Sequence, residues 1–194
     1  MLRIALTGGI GTGKSYISAH YSAMGIPVFN ADQEAQKLYD HPDVKQLVQY
    51  HFGKSVYQNG TLNKARLAQL IFSDQNSLSL INSIIHPRLM VIFDNWAIAQ
   101  NKPVVMMESA IIFEAGLAGF FDLVFVVHAS LEVRLKRLSL RNPEWDAAEI
   151  KRRMTSQVDQ EVKRQNADMV IWNEEEGGEG IIYWNYSSRP KTQG

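Results

Sequence analysis

The sequence predicts an α/β fold in which helices cover both faces of a five-stranded parallel sheet. Short apolar runs alternate with segments of helical periodicity, which is typical of chains built from strand–helix–strand units. Two of these runs, residues 104–107 and 123–127, are continuously apolar, as expected for strands buried on both faces. The first run in the chain leads into a glycine-rich loop that opens a helix, an arrangement suited to binding phosphate groups.

Five strands and three connecting helices follow from the hydrophobic periodicity. The strands are short runs rich in apolar and β-branched residues. They cover residues 2–7, 27–29, 104–107, 123–127 and 169–172. The helices cover residues 15–24, 131–140 and 146–164, and Gly25 lies where the first helix is expected to end.

Residues 33–101 differ from the rest, because apolar side chains recur there at steps of three to four residues. This spacing predicts several helices, broken near Pro42, at residues 53–60 and near Pro87. The last of these helices is expected over residues 87–101. The segment interrupts the alternation of strands and helices and is predicted to be a helical insertion.

Composition limits the functions open to the chain. Its 194 residues are expected to form one domain over 1–194, with a core at about 1–32, 102–130 and 166–173. Cysteine is absent, which excludes disulfides and thiolate metal sites. Twenty basic and twenty acidic residues give zero net charge and argue against a nucleic-acid surface. The apolar runs are too short for a membrane span and the N-terminus lacks a signal-peptide pattern, so we expect a cytoplasmic protein. No obligatory protein partner is evident from the sequence.

Residues 8–15 match the phosphate-loop pattern G-x-x-x-x-G-K-[ST] between a predicted strand and a predicted helix. The glycines let the backbone turn its N–H groups toward phosphate oxygens. Lys14 can reach the β- and γ-phosphates of a nucleotide, and the Ser15 hydroxyl can bind Mg²⁺. The spacing of the glycines excludes a dinucleotide-binding fingerprint. The predicted nucleotide-binding residues are Gly9, Ile10, Gly11, Thr12, Gly13, Lys14, Ser15 and Tyr16.

Among proteins with this loop, a small kinase fits better than a GTP-dependent switch. The guanine-binding pattern N-K-x-D is incomplete, because Arg66 stands where the aspartate is needed. No D-x-x-G motif occurs anywhere in the chain. A kinase needs a base for the acceptor hydroxyl and cations for the transferred phosphoryl group.

Asp32 is the best-placed base, because it follows the second strand at the edge where α/β sheets bind ligands. From position alone, an N-cap for the next helix is an equal alternative. Cations cluster late in the chain, with nine of the twenty basic residues at positions 131–165. That segment is either a lid that closes over ATP or a solvated helical hairpin.

Several segments resemble, in the same order, those of the dephospho-CoA kinases. The start, ALTGGIGTGKS, is similar to the family's phosphate loop almost letter for letter. Residues 25–32 resemble its G-x-x-V-x-D-A-D segment, and residues 84–87 its I-I-H-P element. Further similar segments are GTLNK at 60–64 followed by IF at 71–72, AIIFE at 110–114, Arg153-Met154 with Gln157, and ADMVIWN at 167–173. The phosphate loop alone is generic, whereas the ordered set over about residues 2–173 is specific.

The resemblance implies phosphoryl transfer from ATP to the ribose 3′-hydroxyl of dephospho-CoA, with Mg²⁺. It implies a P-loop NTPase-type core, a helical CoA-binding insertion at about 33–101 and a helical lid at about 131–165. Asp32 falls on the second aspartate of D-A-D, which serves as the base in the family pattern. Asn173 is expected to read the adenine edge, and Arg137 and Arg141 to contact the nucleotide from the lid.

Four other polar residues are further site candidates. Glu108 ends the third strand, where an acid can hold the Mg²⁺ shell. Glu114 either supports a metal or substrate ligand from behind or contacts the lid. His86 either binds the acceptor or caps the helix from Pro87, and Lys64 is a further candidate for acceptor binding.

Four positions depart from the family pattern. Asn30 replaces the first aspartate of D-A-D, Gln36 stands where an arginine is frequent, Lys64 replaces an arginine, and Ala110 replaces a proline. The tail at 174–194 does not resemble the family's closing helix. Two alternatives therefore stay open: another small-molecule or nucleotide kinase with the same core, and a nucleotide-binding module without catalysis.

Overall fold

The computed structural model describes residues 1–72, 74–174 and 183–186. These residues divide into two compact units. The first contains Met1–Phe29 and the described residues from Gln100 onward, and the second contains Asn30–Ala99. Most of the tail at 174–194, for which the sequence predicts no element, lies outside the described residues.

The strands are β1 (Leu2–Thr7), β2 (Val28–Asn30), β3 (Tyr57–Gln58), β4 (Thr61–Leu62), β5 (Val104–Glu108), β6 (Leu123–His128), β7 (Met169–Trp172) and β8 (Tyr183–Tyr186). Six of them form one sheet in the order β2-β5-β1-β6-β7-β8. Strand β1 is central, and Ile4 lies opposite Met106 on one side and Leu123 on the other. The sheet therefore places the end of β1, which precedes the phosphate loop, next to the end of β5, which carries Glu108.

The five predicted parallel strands are confirmed, each within one residue of its expected bounds. The sixth strand, β8, pairs antiparallel with β7 and was not expected from the tail sequence. Its backbone covers the hydrogen-bonding groups that β7 would otherwise present at the sheet edge.

The described part of the first unit contains four helices, of which the first packs against the sheet through apolar side chains. The helices are α1 (Lys14–Ala23), α6 (Leu131–Arg141), α7 (Ala147–Thr155) and α8 (Gln160–Gln165), together with a 3₁₀ turn at Leu117–Phe120. Ile17 of α1 is buried against Leu6, Met106 and Val127 of the sheet. This packing positions α1 and the loop before it relative to β5 and β6.

The single helix predicted over residues 146–164 is wrong, because the chain forms α7 and α8 with a break between them. Helix α7 ends at Thr155, and the Asp159 side chain accepts a hydrogen bond from Glu161 N (2.8 Å) to cap α8. An N-cap of this kind begins a new helix. No glycine or proline lies in the break, so the sequence contains no local signal that would end the predicted helix there.

The second unit contains α2 (Ala31–Leu38), α3 (Pro42–Phe52), α4 (Lys64–Phe72) and α5 (Gln75–Gln100), with a 3₁₀ turn at Lys54–Val56. Strands β3 and β4 form a hairpin that begins inside the predicted break at 53–60 and ends two residues after it. Asn59 and Gly60 have φ angles of 49° and 85° at its turn, which matches the preference of Asn-Gly for tight hairpins. The helical character of the segment is as predicted, and the hairpin was missed.

The break predicted at Pro87 is also wrong, since α5 continues through this residue. Proline removes one backbone donor and strains the preceding turn. Buried Ile84 and Ile85 precede it and buried Leu89 and Met90 follow it. The packing of these residues stabilises the helix before and after Pro87, and helix propensity does not include such tertiary contacts. Among the residues that the structure describes, no helix is both long and apolar enough for a membrane crossing.

Candidate active site

The phosphate loop lies between the end of β1 at Thr7 and the start of α1 at Lys14. Gly11 and Gly13 have φ angles of 84° and 82°, a left-handed conformation that favours glycine. A side chain at Gly13 would also collide with the Asn173 amide. The glycines thus allow a tight turn that directs the N-terminus of α1 toward the loop. The positive end of the helix dipole can stabilise an anion bound there.

Glu108, at the end of β5, joins the charged residues of this loop. Its Oε1 accepts hydrogen bonds from Lys14 Nζ (3.1 Å) and Ser15 Oγ (2.8 Å). Its Oε2 accepts one from Ser18 Oγ (2.6 Å). The structure therefore brings together Lys14, Ser15 and Glu108, three residues that the sequence singled out.

The Glu108 carboxyl is buried and ionised. Burial raises its pKa, but the hydrogen bonds from Ser18 and Ser15 and the charge of Lys14 outweigh burial and hold the pKa below its usual value. The Lys14 side chain is only 13% exposed, so the carboxylate balances a cation that has little access to water.

The donor set of this cluster fits Mg²⁺. Within residues 1–72, 74–174 and 183–186, no group of three or more His, Cys, Asp or Glu side chains could hold a metal ion. Mg²⁺ in nucleotide sites needs fewer protein ligands, because phosphate oxygens and water complete its octahedron. The Ser15 hydroxyl and the Glu108 carboxylate, which touch each other, are hard oxygen donors of the required kind.

Asn173, after β7, contacts the phosphate loop directly. Its Nδ2 donates to Thr12 O (2.9 Å). Arg137 of α6 donates from one guanidinium nitrogen to Thr12 O (3.3 Å) and Asn173 O (3.1 Å), and from another to Asn173 Oδ1 (3.3 Å). Asn173 and Arg137 therefore form one network on the carbonyl of Thr12.

Arg141 and Tyr16, also predicted to bind nucleotide, lie outside this network. Arg141 is the exposed last residue of α6, one turn beyond Arg137. Tyr16 is an exposed residue in the first turn of α1, with its ring 6.3 Å from that of His20. Between the two predicted lid arginines, Arg137 is thus the one in contact with the loop.

In the second unit, Asn30 caps α2. Its side chain accepts a hydrogen bond from Gln33 N (2.9 Å), so Asn30 and not Asp32 is the N-cap residue. Asp32 lies in the first turn of the helix. The alternative structural role that the sequence allowed for Asp32 is therefore taken by its neighbour.

Lys64 and Gln36, two departures from the family pattern, touch each other. Lys64 Nζ donates to Gln36 Oε1 (2.9 Å). Gln36 lies one helical turn after Asp32 in α2, so both residues share a face of that helix. His86 lies inside α5, before Pro87, and burial lowers its pKa. Because α5 continues through Pro87, His86 does not cap a helix there.

Comparison with known proteins decides the family. The sequence model of the dephospho-CoA kinases matches residues 2–179. The chain belongs to the dephospho-CoA kinase family. The dephospho-CoA kinase of Bacteroides fragilis is 36% identical over 177 residues, which span 90% of this chain and 86% of the relative. That of Porphyromonas gingivalis is 37% identical over 175 residues, which span 89% and 86%.

Solved structures show the same fold. A crystal structure of a protein from Thermus thermophilus matches with a TM-score of 0.80 at 29% identity and covers 89% of this chain and 88% of its own. The dephospho-CoA kinase from Campylobacter jejuni matches with a TM-score of 0.64 at 22% identity, over 90% and 89%. Membership in the dephospho-CoA kinase family and the P-loop kinase fold thus agree with the resemblance read from the motifs.

Ser18 and Lys163 are among the residues near the site of this dephospho-CoA kinase family member that the sequence analysis did not single out. Ser18 contacts Glu108, and its position three residues after Ser15 on a helix is a signal that could have found it. Lys163 is fully buried and forms an ion pair with Glu114 (2.7 Å). Nothing in the sequence distinguishes Lys163 from the other cations at positions 131–165, because its burial depends on tertiary packing.

Proposed function

We propose that the chain transfers the γ-phosphoryl group of ATP to the ribose 3′-hydroxyl of dephospho-CoA and releases coenzyme A and ADP. Family membership makes it an ATP-dependent kinase of coenzyme A biosynthesis. The observation that carries the proposal for this chain is the joint contact of Lys14 and Ser15 with Glu108 beside an intact phosphate loop. The cytoplasmic location expected from the sequence stays a prediction.

The loop and Lys14 bind the triphosphate in this proposal. Backbone N–H groups at the start of α1 face the phosphate oxygens, and Lys14 places its charge beside the β- and γ-phosphates. Glu108 balances the charge of Lys14 until phosphate takes over that role. When bound, Mg²⁺ neutralises charge on the phosphate oxygens, and Ser15 and Glu108 are the residues that would hold it.

Asp32 accepts the proton of the acceptor hydroxyl in this proposal. Support comes from the D-A-D resemblance and from the finding that Asn30 supplies the helix cap, which leaves the Asp32 carboxylate without that structural duty. Lys64 and His86 are proposed to bind the acceptor. Lys64 carries the positive charge that an acceptor with a pyrophosphate group needs, and it lies beside Gln36 on the Asp32 face of α2.

The direct test supplies purified protein with MgATP and dephospho-CoA and compares shikimate and nucleoside monophosphates as acceptors. We expect ADP release only with dephospho-CoA, and a product that supports an enzyme requiring coenzyme A. Lys14→Ala is the matched control, expected to lose about 10²–10³-fold in kcat because one preorganised cation is removed. Turnover with another acceptor would show a different kinase, and ATP binding without any turnover would show a non-catalytic module.

A further inference from the structure

Two glutamine side chains accept hydrogen bonds from backbone amides in the first half of the phosphate loop. Gly9 N donates to Gln160 Oε1 (2.8 Å), and Ile10 N donates to Gln157 Oε1 (2.8 Å). Gln157 lies in the break between α7 and α8, and Gln160 is the first residue of α8. One short segment, remote in sequence, therefore binds two consecutive amides of the loop.

Gln160 needs a carboxamide to make its contacts. Its Oε1 accepts from Gly9 N while its Nε2 donates to Val127 O (2.9 Å) near the end of β6. A carboxylate could accept the first hydrogen bond but could not donate the second. The side chain is buried, so neither partner has free access to water.

The carbonyls of the same two loop residues are also bonded within the protein. Arg134 Nε donates to Ile10 O (2.9 Å), and Thr12 Oγ1 donates to Gly9 O (2.9 Å). Every backbone polar group of Gly9 and Ile10 thus has a protein partner. Thr12 N also donates within the loop, to Gly9 O (3.2 Å). The amides that we assign to phosphate binding are therefore those of Gly11, Gly13, Lys14 and Ser15.

Gln160 approaches Gly9 closely, at a position where the phosphate-loop pattern allows any residue. A Cβ at Gly9 would lie 2.5 Å from Gln160 Oε1 and 2.9 Å from a terminal nitrogen of Arg134. Both neighbouring side chains would have to move. The sequence of the loop is therefore matched to the side chains that hold it.

We propose that Gln157 and Gln160 are positioning residues that hold the first half of the phosphate loop, so that the amides of the second half are preset for the triphosphate. A preset loop loses less conformational freedom when nucleotide binds, and this raises affinity. The inference rests on the proposed function only for its ligand, ATP, and does not depend on the acceptor.

The test measures MgATP binding by calorimetry, without acceptor, in matched variants. Gln157→Leu and Gln160→Leu each remove an acceptor and are expected to raise the Kd for MgATP about 10-fold. Gln157→Glu keeps an acceptor for Ile10 N and is expected to stay within about threefold of wild type. Gln160→Glu places a carboxylate oxygen against Val127 O, and we expect it to raise the Kd for MgATP as much as Gln160→Leu does. Gln165→Leu, at the exposed end of α8, is the control and should bind normally.

Amide hydrogen exchange in the nucleotide-free protein provides a second readout. Exchange at Ile10 should be at least about 10-fold faster in Gln157→Leu and return to the wild-type rate in Gln157→Glu. If Gln160→Leu does not fold, the Gln157 pair decides the proposal. Wild-type Kd values in the folded leucine variants, or equal weakening by Gln157→Glu and Gln157→Leu, would overturn it. A failure of dephospho-CoA as the acceptor would leave these binding and exchange results unchanged.

Discussion

Lys14 Nζ lies 3.1 Å from Glu108 Oε1, so the cation of the phosphate loop and the acid that ends β5 form one ion pair. The two residues are 94 positions apart in the sequence and meet because β1 and β5 are neighbouring parallel strands. Parallel strands end at the same edge of a sheet, which places the loop after β1 beside the last residue of β5.

Glu108→Gln keeps the shape of this side chain and removes its charge. We expect kcat to fall about 10–100-fold and the Mg²⁺ concentration for half-maximal activity to rise, because the group that we propose to hold Mg²⁺ with Ser15 loses its charge. Steady-state kinetics over a range of Mg²⁺ concentrations measure both quantities. Glu132→Gln, an exposed acid in the first turn of α6, is the control. An unchanged kcat and Mg²⁺ requirement would contradict the metal role.

Glu108 also makes stability depend on pH. Its pKa is lowered in the folded protein, so its ionised form contributes stability above the glutamate pKa of the unfolded chain, about 4.3. This contribution is lost as the pH falls through the lower pKa of the folded state. The difference in unfolding free energy between wild type and Glu108→Gln, measured by urea titration, should therefore shrink from pH 7 toward acid. A difference that stays constant with pH would show that the charge is not involved.

Asp32→Asn tests the proposed base. We expect kcat to fall roughly 10²–10⁴-fold while both substrates still bind, because a base acts mainly in the transition state. The melting temperature should hardly change, since Asn30 caps the helix. Glu34→Gln, in the same turn of α2, is the control and should keep normal turnover. A stable, substrate-binding Asp32→Asn variant with wild-type kcat would show that Asp32 is not the base.

Asn30→Ala is the complementary variant. It removes the side-chain oxygen that accepts from Gln33 N and should lower the free energy of unfolding by about 1 kcal/mol. Thermal unfolding measures the loss. A larger loss in Asp32→Ala than in Asn30→Ala would return the capping role to Asp32, since Asp32→Asn would keep a capping oxygen.

Arg137 and Arg141 should differ in their effect on nucleotide binding. Arg137→Ala removes contacts to Thr12 O and Asn173 and should raise the KM for ATP more than that for dephospho-CoA. Arg141→Ala is also predicted to raise the KM for ATP selectively, but by less, because its exposed side chain must be drawn in by nucleotide. Initial-rate kinetics with each substrate varied in turn measure the split. Equal effects on both substrates would favour a general folding role for these arginines.

The buried pair of Lys163 and Glu114 should be important for stability. Lys163 also donates to Ala110 O (2.8 Å), and burial lowers its pKa despite the nearby carboxylate. Glu114→Leu leaves this cation buried without its partner and should cost about 3 kcal/mol, or several degrees in melting temperature for a chain of this size. Adding Lys163→Met should restore part of the loss, which a double-mutant cycle measures. Strictly additive losses would show that the two residues do not interact.

An ion pair on the surface should contribute much less to stability than the buried pair of Lys163 and Glu114. Arg152 and Glu149 pair on the surface of α7 at 2.8 Å, where solvent screens both charges. Arg152→Met should therefore leave the melting temperature almost unchanged.

Features carried by contiguous residues could be predicted from the sequence alone. The phosphate loop and its flanking strand and helix follow from local glycine, lysine and apolar spacing, and the bounds of β1 and β7 match the prediction. The family could also be recognised, because its motifs are short and occur in a fixed order. In each case the physical cause, a backbone angle or an alternation of apolar residues, acts within a few positions of the chain.

Tertiary structure alone decided the features that depend on contacts between remote segments. Helix α5 continues through Pro87 because buried residues on both sides stabilise it, against the local preference of proline. Gln160 reaches Gly9 across 151 positions, and Lys163 is buried although Val162 beside it is exposed. No local pattern records such contacts, because whether a polar side chain meets solvent, a loop amide or a buried carboxylate depends on which segment packs against it.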